Sequence, residues 1–108
     1  MPKFVLVATS SAVEGREDEY NSWYDGVHLK DLLELPGVKS ARRFDATPFG
    51  FHAAPADYLA IYEIEADDAG AVMAALGKGV SSGEMKMTDS IDRASSNLTV
   101  WQERELTA

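Results

Sequence analysis

The fold of this chain is decided by residues 20–38, which read YNSWYDGVHLKDLLELPGV. Six side chains recur there at helical spacing: Tyr20, Tyr24, Val27, His28, Leu32 and Leu35. This stripe predicts an amphipathic helix that packs its apolar face against a core. Gly26 marks a place where the helix can kink. The helix should end by Leu35, because Pro36 disfavours helical geometry for the residue before it.

One polar side chain lies in the apolar stripe. His28 has Tyr24 four residues before it and Leu32 four residues after it, so its imidazole should point inward. A buried imidazole needs a hydrogen-bond partner, and its ordinary pKa lies near neutral pH. His28 is therefore either a general base or acid, or a structural residue that ties the helix end to a backbone carbonyl. Asp31, three residues on, lies where it can orient the ring.

The composition of the 108 residues argues against several kinds of site. The formal net charge is −8, and the deficit of Lys and Arg argues against a nucleic-acid partner. The chain has no cysteine and two histidines, so we expect neither a disulfide nor a metal centre. No glycine-rich loop follows the first strand, so we expect no nucleotide cofactor. We expect no cofactor at all, although a single axial histidine for haem stays open.

The length predicts a single domain over residues 1–108. No apolar run reaches the length that a membrane-spanning helix needs, so we expect no membrane partner. The N-terminal residues do not resemble a signal peptide, and we therefore expect a cytoplasmic protein.

Four strands and a second helix are predicted around the first helix. The predicted strands are Phe4–Ala8, Val38–Asp45, Tyr58–Ile64 and Leu98–Arg104. Asp67 or Asp68 should cap the second helix, which runs through about Leu76 and ends at Gly77-Lys78-Gly79. Residues 80–97 fit no clear pattern, and a short helix over Asp89–Arg93 is one interpretation. The resulting order is strand, helix, strand, strand, helix, strand.

That order is typical of the ferredoxin-like βαββαβ fold, an α+β arrangement with two helices on one face of a four-stranded antiparallel sheet. The first and third strands are apolar on both faces, so the second face needs a cover. A second copy of the chain is the simplest cover, and we expect a homodimer. The loop Thr47–Pro55 carries Phe49 and Phe51, which we expect to be covered by the pocket mouth or by the partner chain.

Residues 23–44 carry four short motifs: WYDGVH at 23–28, DLL at 31–33, LPGV at 35–38 and ARRF at 41–44. Their order resembles the EthD-like branch of the dimeric α+β barrel superfamily. The resemblance implies a ferredoxin-like protomer, a dimer whose sheets form a barrel, and a pocket between helices and sheet. Proteins of this superfamily include cofactor-free monooxygenases, isomerases, dehydratases, cyclases and haem-handling enzymes, so the fold does not fix the reaction.

Nine side chains are candidates for the site. We expect His28 to be the catalytic proton carrier. The expected substrate-binding residues are Trp23, Tyr24, Arg42, Phe44, His52, Tyr58, Tyr62 and Trp101. Tyrosine hydroxyls can hold a substrate oxygen, and an arginine can bind a carboxylate or enolate. Each also has a simpler interpretation: the aromatic residues pack in the core or an interface, Arg42 is surface charge, and His52 is a solvent-exposed loop residue.

These features predict a cofactor-independent enzyme that acts on a small oxygenated aromatic or polyketide-like compound. The step would move a proton beside a carbonyl or phenol and give isomerisation, elimination or, with oxygen, oxidation. The alternative is a non-catalytic dimeric small-molecule-binding or accessory protein of a catabolic or biosynthetic pathway. A second proton-handling group within reach of His28 would favour the enzyme, and His28 bonded to backbone would favour the binder.

Overall fold

The protein is built on one antiparallel sheet of four strands. A computed structural model describes residues 1–107 and gives the strand order β2–β3–β1–β4. The strands are β1 (Lys3–Ala12), β2 (Val38–Asp45), β3 (Tyr58–Glu65) and β4 (Ile91–Gln102). The helices are α1 (Glu17–Trp23), α2 (Leu29–Leu33) and α3 (Ala69–Ser82). A π-helical turn over Tyr24–His28 joins α1 to α2, so these pieces form one bent helix.

This order of elements confirms the ferredoxin-like βαββαβ fold expected from the sequence. The central strand β1 pairs antiparallel with β3 and β4, and β2 pairs antiparallel with β3. The bent first helix connects β1 to β2, and α3 connects β3 to β4. The connection from β1 to β2 passes over β3, and the connection from β3 to β4 passes over β1. These two crossovers give the observed sheet order.

The core lies between the helices and one face of the sheet. Alternate residues of a strand point to the same face, and Leu6 of β1 and Tyr62 of β3 are both almost fully buried on the helix side. The core residues contributed by the helices are Tyr20, Trp23, Tyr24, Leu32, Val72 and Leu76. Burial of one such large side chain stabilises the fold by roughly 1.5–3 kcal/mol, so the stripe predicted from residues 20–35 supplies much of the core.

The opposite face of the sheet is apolar and open in the single chain. Val5, Val7 and Ile61 are only half-buried there, and Trp101 is 60% exposed. Trp101 pairs with Val5, and Val7 pairs with Ile61, so these side chains form one continuous apolar surface. The strands β1 and β3 thus carry apolar residues on both faces, as the sequence indicated.

Several predicted bounds differ in the structure: β1 extends to Ala12, and β4 begins at Ile91 and ends at Gln102. The helix α3 continues past Gly77 to Ser82, and Gly83 ends it with φ of 80°. An isolated glycine costs a helix only about 1 kcal/mol, so Gly77 does not stop a helix that is held by its buried face. The short helix suggested for Asp89–Arg93 is wrong, because β4 already begins at Ile91 and pairs there with β1.

The loop between β2 and β3 leaves its two phenylalanines in solvent. Phe49 is 89% exposed and Phe51 is fully exposed in the single chain. The expectation that the pocket mouth covers them is therefore wrong within one protomer. Their cover by a partner chain stays a prediction.

Candidate active site

A π-helical turn at Tyr24–His28 arranges the rings of the site. It confirms the expected irregularity near Gly26, and such turns are frequent at functional sites. Across this turn, the rings of Trp23 and His28 stack with centroids 4.4 Å apart and planes at 21°. Tyr24 meets the imidazole edge-on at 5.1 Å. Two aromatic rings therefore fix the orientation of the imidazole.

His28 is a neutral imidazole at pH 7. Burial lowers its pKa from 6.5 to about 4, and the negative charge of Asp31 opposes this effect only in part. The expectation that His28 titrates near neutrality is therefore wrong. Its Nδ1 atom is buried without a hydrogen-bond partner among residues 1–107, so the proposed tie from this atom to a backbone carbonyl is not found. A neutral ring at this position can accept a proton.

A cavity of about 530 Å³ lies between the helices and the sheet, and His28 is part of its wall. This volume falls within the range of small-molecule pockets. The aromatic wall consists of Trp23, Tyr24 and Tyr62. The apolar wall consists of Ala8, Leu32, Met73, Leu76, Val80, Met87, Ile91 and Leu98. The cavity therefore suits an apolar or aromatic compound that carries a few polar groups.

Two buried tyrosines line the cavity and share a hydrogen bond. The hydroxyl of Tyr62 donates to the hydroxyl of Tyr24 at 3.5 Å. Burial raises the pKa of both phenols, so both stay protonated at neutral pH. A protonated phenol can donate a hydrogen bond to a ligand oxygen, and the ring of Tyr24 contacts His28.

A guanidinium packs against the ring of Tyr24, and it belongs to Arg43. Its two terminal nitrogens donate to Asp25 Oδ1 and to Asn21 Oδ1, each at 2.8 Å. It also lies 4.4 Å from the ring centre of Tyr24. Arg42 and Arg43 point to opposite faces of β2, and the sequence prediction chose Arg42 for the pocket; a bulge between Val38 and Ser40 places Arg43 on the helix side instead.

Five of the candidate residues lie outside the cavity within one protomer, four of them on the open sheet face or in an exposed loop, and this corrects the expectation of a single site. Arg42 and Phe44 pair with residues of the open sheet face, and Trp101 lies on that face too. Strand alternation puts the thickness of the sheet between these three side chains and the cavity. His52 lies in the exposed loop between β2 and β3.

Tyr58 lies on the helix side of the sheet but outside the cavity. Its ring stacks on Tyr20 at 5.1 Å, and its hydroxyl accepts a hydrogen bond from Asn21 at 3.2 Å. It lines a separate polar groove with Asp57. Of the nine candidates, the structure therefore brings together Trp23, Tyr24, His28 and Tyr62.

Within residues 1–107, no group of three or more His, Asp or Glu side chains is placed to hold a metal ion. In the same part of the chain, no helix combines the length and the apolar character that a membrane crossing requires.

No family model matches the sequence, and no curated protein matches it either. Solved structures do match the fold. An EthD (ethyl tert-butyl ether degradation) family protein from Bacillus halodurans C-125 is 15% identical, with a TM-score of 0.62 over 96% of this chain and 100% of its own. The heme-degrader MhuD from Mycobacterium tuberculosis, which holds two hemes in its active site, is 11% identical, with a TM-score of 0.66 over 97% and 99%.

A dimeric ferredoxin-like protein of unknown function from Thermobifida fusca YX is 10% identical, with a TM-score of 0.60 over 94% of this chain and 92% of its own. Identities this low establish a shared fold and no shared activity. The chain therefore has the ferredoxin-like fold of the dimeric α+β barrel proteins, and its resemblance to the EthD-like branch is confirmed at the level of that fold.

Proposed function

We propose that this protein is a cofactor-independent enzyme that moves a proton on a small oxygenated aromatic or polyketide-like compound. One observation carries the proposal: a neutral, ring-stacked His28 forms part of the wall of a largely apolar cavity of small-molecule size. Such a group is an acceptor for a substrate proton, and its surroundings exclude water.

The residues have distinct parts in this reaction. His28 accepts a proton from a carbon or oxygen that lies beside a carbonyl or phenol group of the substrate. Tyr24, whose hydroxyl accepts from Tyr62 and keeps its own proton free, donates a hydrogen bond to the oxygen on which negative charge develops. The ring of Trp23 fixes the plane of the imidazole. The expected contribution of a positioned base is about 10²–10⁴-fold in rate.

The low pKa of His28 decides the direction of the first proton transfer. An imidazole with a pKa of about 4 is unprotonated at neutral pH, so it begins as a base. It is also a weak base, which restricts the reaction to substrates whose proton is already activated. A developing oxyanion in the cavity would raise the pKa of the imidazole and favour the transfer.

A non-catalytic binding or accessory protein is the second candidate. It is favoured by the fact that the partnerless Nδ1 atom of His28 contacts no acid or base through a hydrogen bond within residues 1–107. The cavity would then shelter the same class of compound. Haem is an alternative ligand, since His28 is the one histidine of the cavity wall in the described chain, but the proposed reaction needs none.

The proposal includes a homodimer and a single domain over residues 1–108, in the cytoplasm. The support for the dimer is the open apolar face around Val7, Ile61 and Trp101. A patch of this kind, continuous across several strands, is typical of an interface. A protein of the same fold is described as a dimeric ferredoxin-like protein.

The test of the cavity as a binding site uses Gly77. Gly77 of α3 lines the cavity, and a Cβ added there meets no atom within 4 Å. Gly77→Leu should therefore fill the cavity without straining the helix. Ala74→Leu adds a side chain to an exposed position of the same helix outside the cavity wall, and it is the matched control.

A panel of aromatic ketones and phenols is screened by thermal shift and calorimetry. We expect compounds that bind the wild-type protein and Ala74→Leu, and that bind Gly77→Leu at least about tenfold more weakly, because the new side chain occupies their space. Equal binding to all three proteins would show that the ligands bind elsewhere and would contradict the proposal.

A further inference from the structure

We propose that the ligand of the cavity is anionic: an aromatic or alicyclic compound with a carboxylate group, which Arg93 binds at the cavity rim. This inference rests on the proposed function, since it names the chemical class that the same cavity takes. It assigns a binding role to Arg93, a residue that takes no part in the proton transfer proposed for His28. Three independent features of the structure support it.

The first feature is a bulge that brings Arg93 to the cavity. Thr9 of β1 pairs with Asn97 and Ser11 pairs with Asp92, so the four β4 residues 93–96 lie opposite the single residue Ser10. We call this segment the β4 bulge. Bulges re-aim side chains and are over-represented beside active sites. Arg93 and Ser96 of the β4 bulge line the cavity, and Ala94 and Ser95 do not.

The base of the β4 bulge is tied down by hydrogen bonds. The Ser95 hydroxyl donates to the backbone carbonyl of Asp92 at 2.6 Å and accepts from the backbone N–H of Ser11 at 2.8 Å. The carboxylate of Asp92 accepts from the backbone N–H of Ala94 at 3.2 Å. These contacts hold the backbone on both sides of Arg93, so the place of Arg93 at the cavity is a built feature of the strand.

The second feature is the charge of the cavity wall. The chain has 18 Asp and Glu residues against 10 Lys and Arg residues. The cavity wall contains no Asp or Glu, and its one charged residue in the described chain is Arg93. An acidic protein repels anions at long range, and a wall free of carboxylates with a local guanidinium removes that repulsion where a ligand binds.

The third feature is that Arg93 is available to a ligand. It is exposed and forms no salt bridge among residues 1–107, whereas Arg16 and Arg43 are both paired with aspartates. Ser96 and Asn97 lie beside it in the wall and offer further hydrogen-bond donors. A guanidinium with neighbouring donors matches the two oxygens of a carboxylate.

The cavity therefore has two chemically different regions. His28 and the aromatic residues form one region. Arg93 and Ser96 of the β4 bulge form a second, polar region together with the adjoining Asn97. A ligand whose ring contacts the aromatic region and whose carboxylate contacts Arg93 satisfies both. Such a contact also orients the substrate, because it fixes which end of the molecule reaches His28.

The test compares two dyes of nearly the same shape. 1-Anilinonaphthalene-8-sulfonate carries an anionic group, and N-phenyl-1-naphthylamine is the same ring system without it. Their dissociation constants are measured by fluorescence with the wild-type protein, Arg93→Met, Arg93→Lys and Gly77→Leu. Arg104→Met, which removes one positive charge from an exposed residue outside the cavity wall, is the control for net charge.

We expect Arg93→Met to weaken binding of the sulfonate about fivefold, as a partly exposed ion pair would, and to leave binding of the neutral dye unchanged. Arg93→Lys should retain most of the affinity, and Arg104→Met should have no effect. If Arg93→Met weakened the binding of both dyes equally, or if Arg104→Met weakened sulfonate binding as much as Arg93→Met does, the inference would be overturned. The cavity would remain a binding site in either case. Failure of both dyes to bind, or their undiminished binding to Gly77→Leu, would contradict the proposed function itself.

Discussion

Trp23 and His28 stack face to face with ring centroids 4.4 Å apart, although His28 follows Trp23 by five positions in the sequence. In a regular α-helix, the residues that face each other are three or four apart. The π-helical turn Tyr24–His28 adds one residue to the turn, and this brings the two rings together. The indole is held in turn by a hydrogen bond from its Nε1 to the backbone carbonyl of Lys86 at 2.7 Å.

The stack makes the pKa of His28 depend on Trp23. We expect Trp23→Leu to raise the pKa of His28 from about 4 toward its ordinary value of 6.5, because the smaller side chain admits water to the imidazole. The pKa is measured by NMR titration of the imidazole protons. Trp101→Leu, on the opposite face of the sheet, is the matched control and should leave the titration unchanged. An unchanged pKa in Trp23→Leu would show that other residues bury the ring.

Stability should fall as the pH is lowered from 6.5 to 4. The pKa of His28 is about 4 in the folded protein and about 6.5 when the chain unfolds, so the unfolded state binds more protons in this window. Full stability is present above pH 6.5, and a shift of this size corresponds to a loss of about 3 kcal/mol by pH 4. Urea unfolding at several pH values measures it. His28→Gln should show a clearly smaller loss between pH 6.5 and 4, and an identical profile would refute this attribution.

Two glycines of α3 should respond oppositely to alanine. At Gly77 an added Cβ meets no atom within 4 Å, so Gly77→Ala should stabilise the protein by about 0.5–1 kcal/mol through helix propensity. At Gly79 the added Cβ would lie 3.1 Å from the side chain of Met85, which is buried. Gly79→Ala should therefore stabilise the protein less than Gly77→Ala does, or should destabilise it. Chemical denaturation of both variants gives the comparison, and equal gains would contradict the packing of Met85 on Gly79.

The open sheet face should form the dimer interface. Light scattering of the wild-type protein should give twice the chain mass of 11.8 kDa at micromolar concentration. Ile61→Lys places a charge in the centre of that face and should shift the equilibrium to the monomer, because a buried unpaired charge is costly. Leu33→Lys changes an exposed leucine of α2 and should leave the dimer intact. A wild-type monomer would contradict the interface.

The fold could be predicted from the sequence because its information is local. In the stripe from Tyr20 to Leu35, the helical spacing of the apolar residues shows which of them are buried. In the β-branched strand at 58–64, the alternation of side chains does the same. The order of these elements then allows few topologies. The segment 80–97 could not be assigned, since the last turn of α3 and the start of β4 depend on contacts with Met85 and β1 that have no local signature.

The site residues that the sequence predicted are those that a helix stripe or a strand face turns inward, although the stripe passes through the π-helical turn Tyr24–His28. His28, Tyr24 and Tyr62 lie where a helix stripe and a strand face put them. Arg43 and Arg93 lie beside bulges in β2 and β4, and a bulge is set by strand pairing rather than by the strand's own residues. A register shift of one residue exchanges the two faces, which is why Arg42 was chosen and Arg43 was not.

The central claim is that His28 accepts a proton from an aromatic compound in the cavity. The most direct test is the ring opening of 5-nitrobenzisoxazole, in which a base removes the ring C–H proton, the N–O bond breaks and a coloured cyanophenolate forms. This reaction needs only a positioned base in an apolar pocket. The rate is followed by absorbance for the wild-type protein, Gly77→Leu and His28→Ala, and the melting temperature of each variant is measured alongside.

We expect His28→Ala to lose about 10²-fold in rate with its fold and dimer intact. The wild-type rate should stay constant above about pH 5, because the imidazole with its pKa of about 4 is already neutral there, and Gly77→Leu should be slow because the cavity is filled. A His28→Ala variant that melts early yet turns the compound over at the wild-type rate would contradict the claim, and it would assign His28 a purely structural part in the helix.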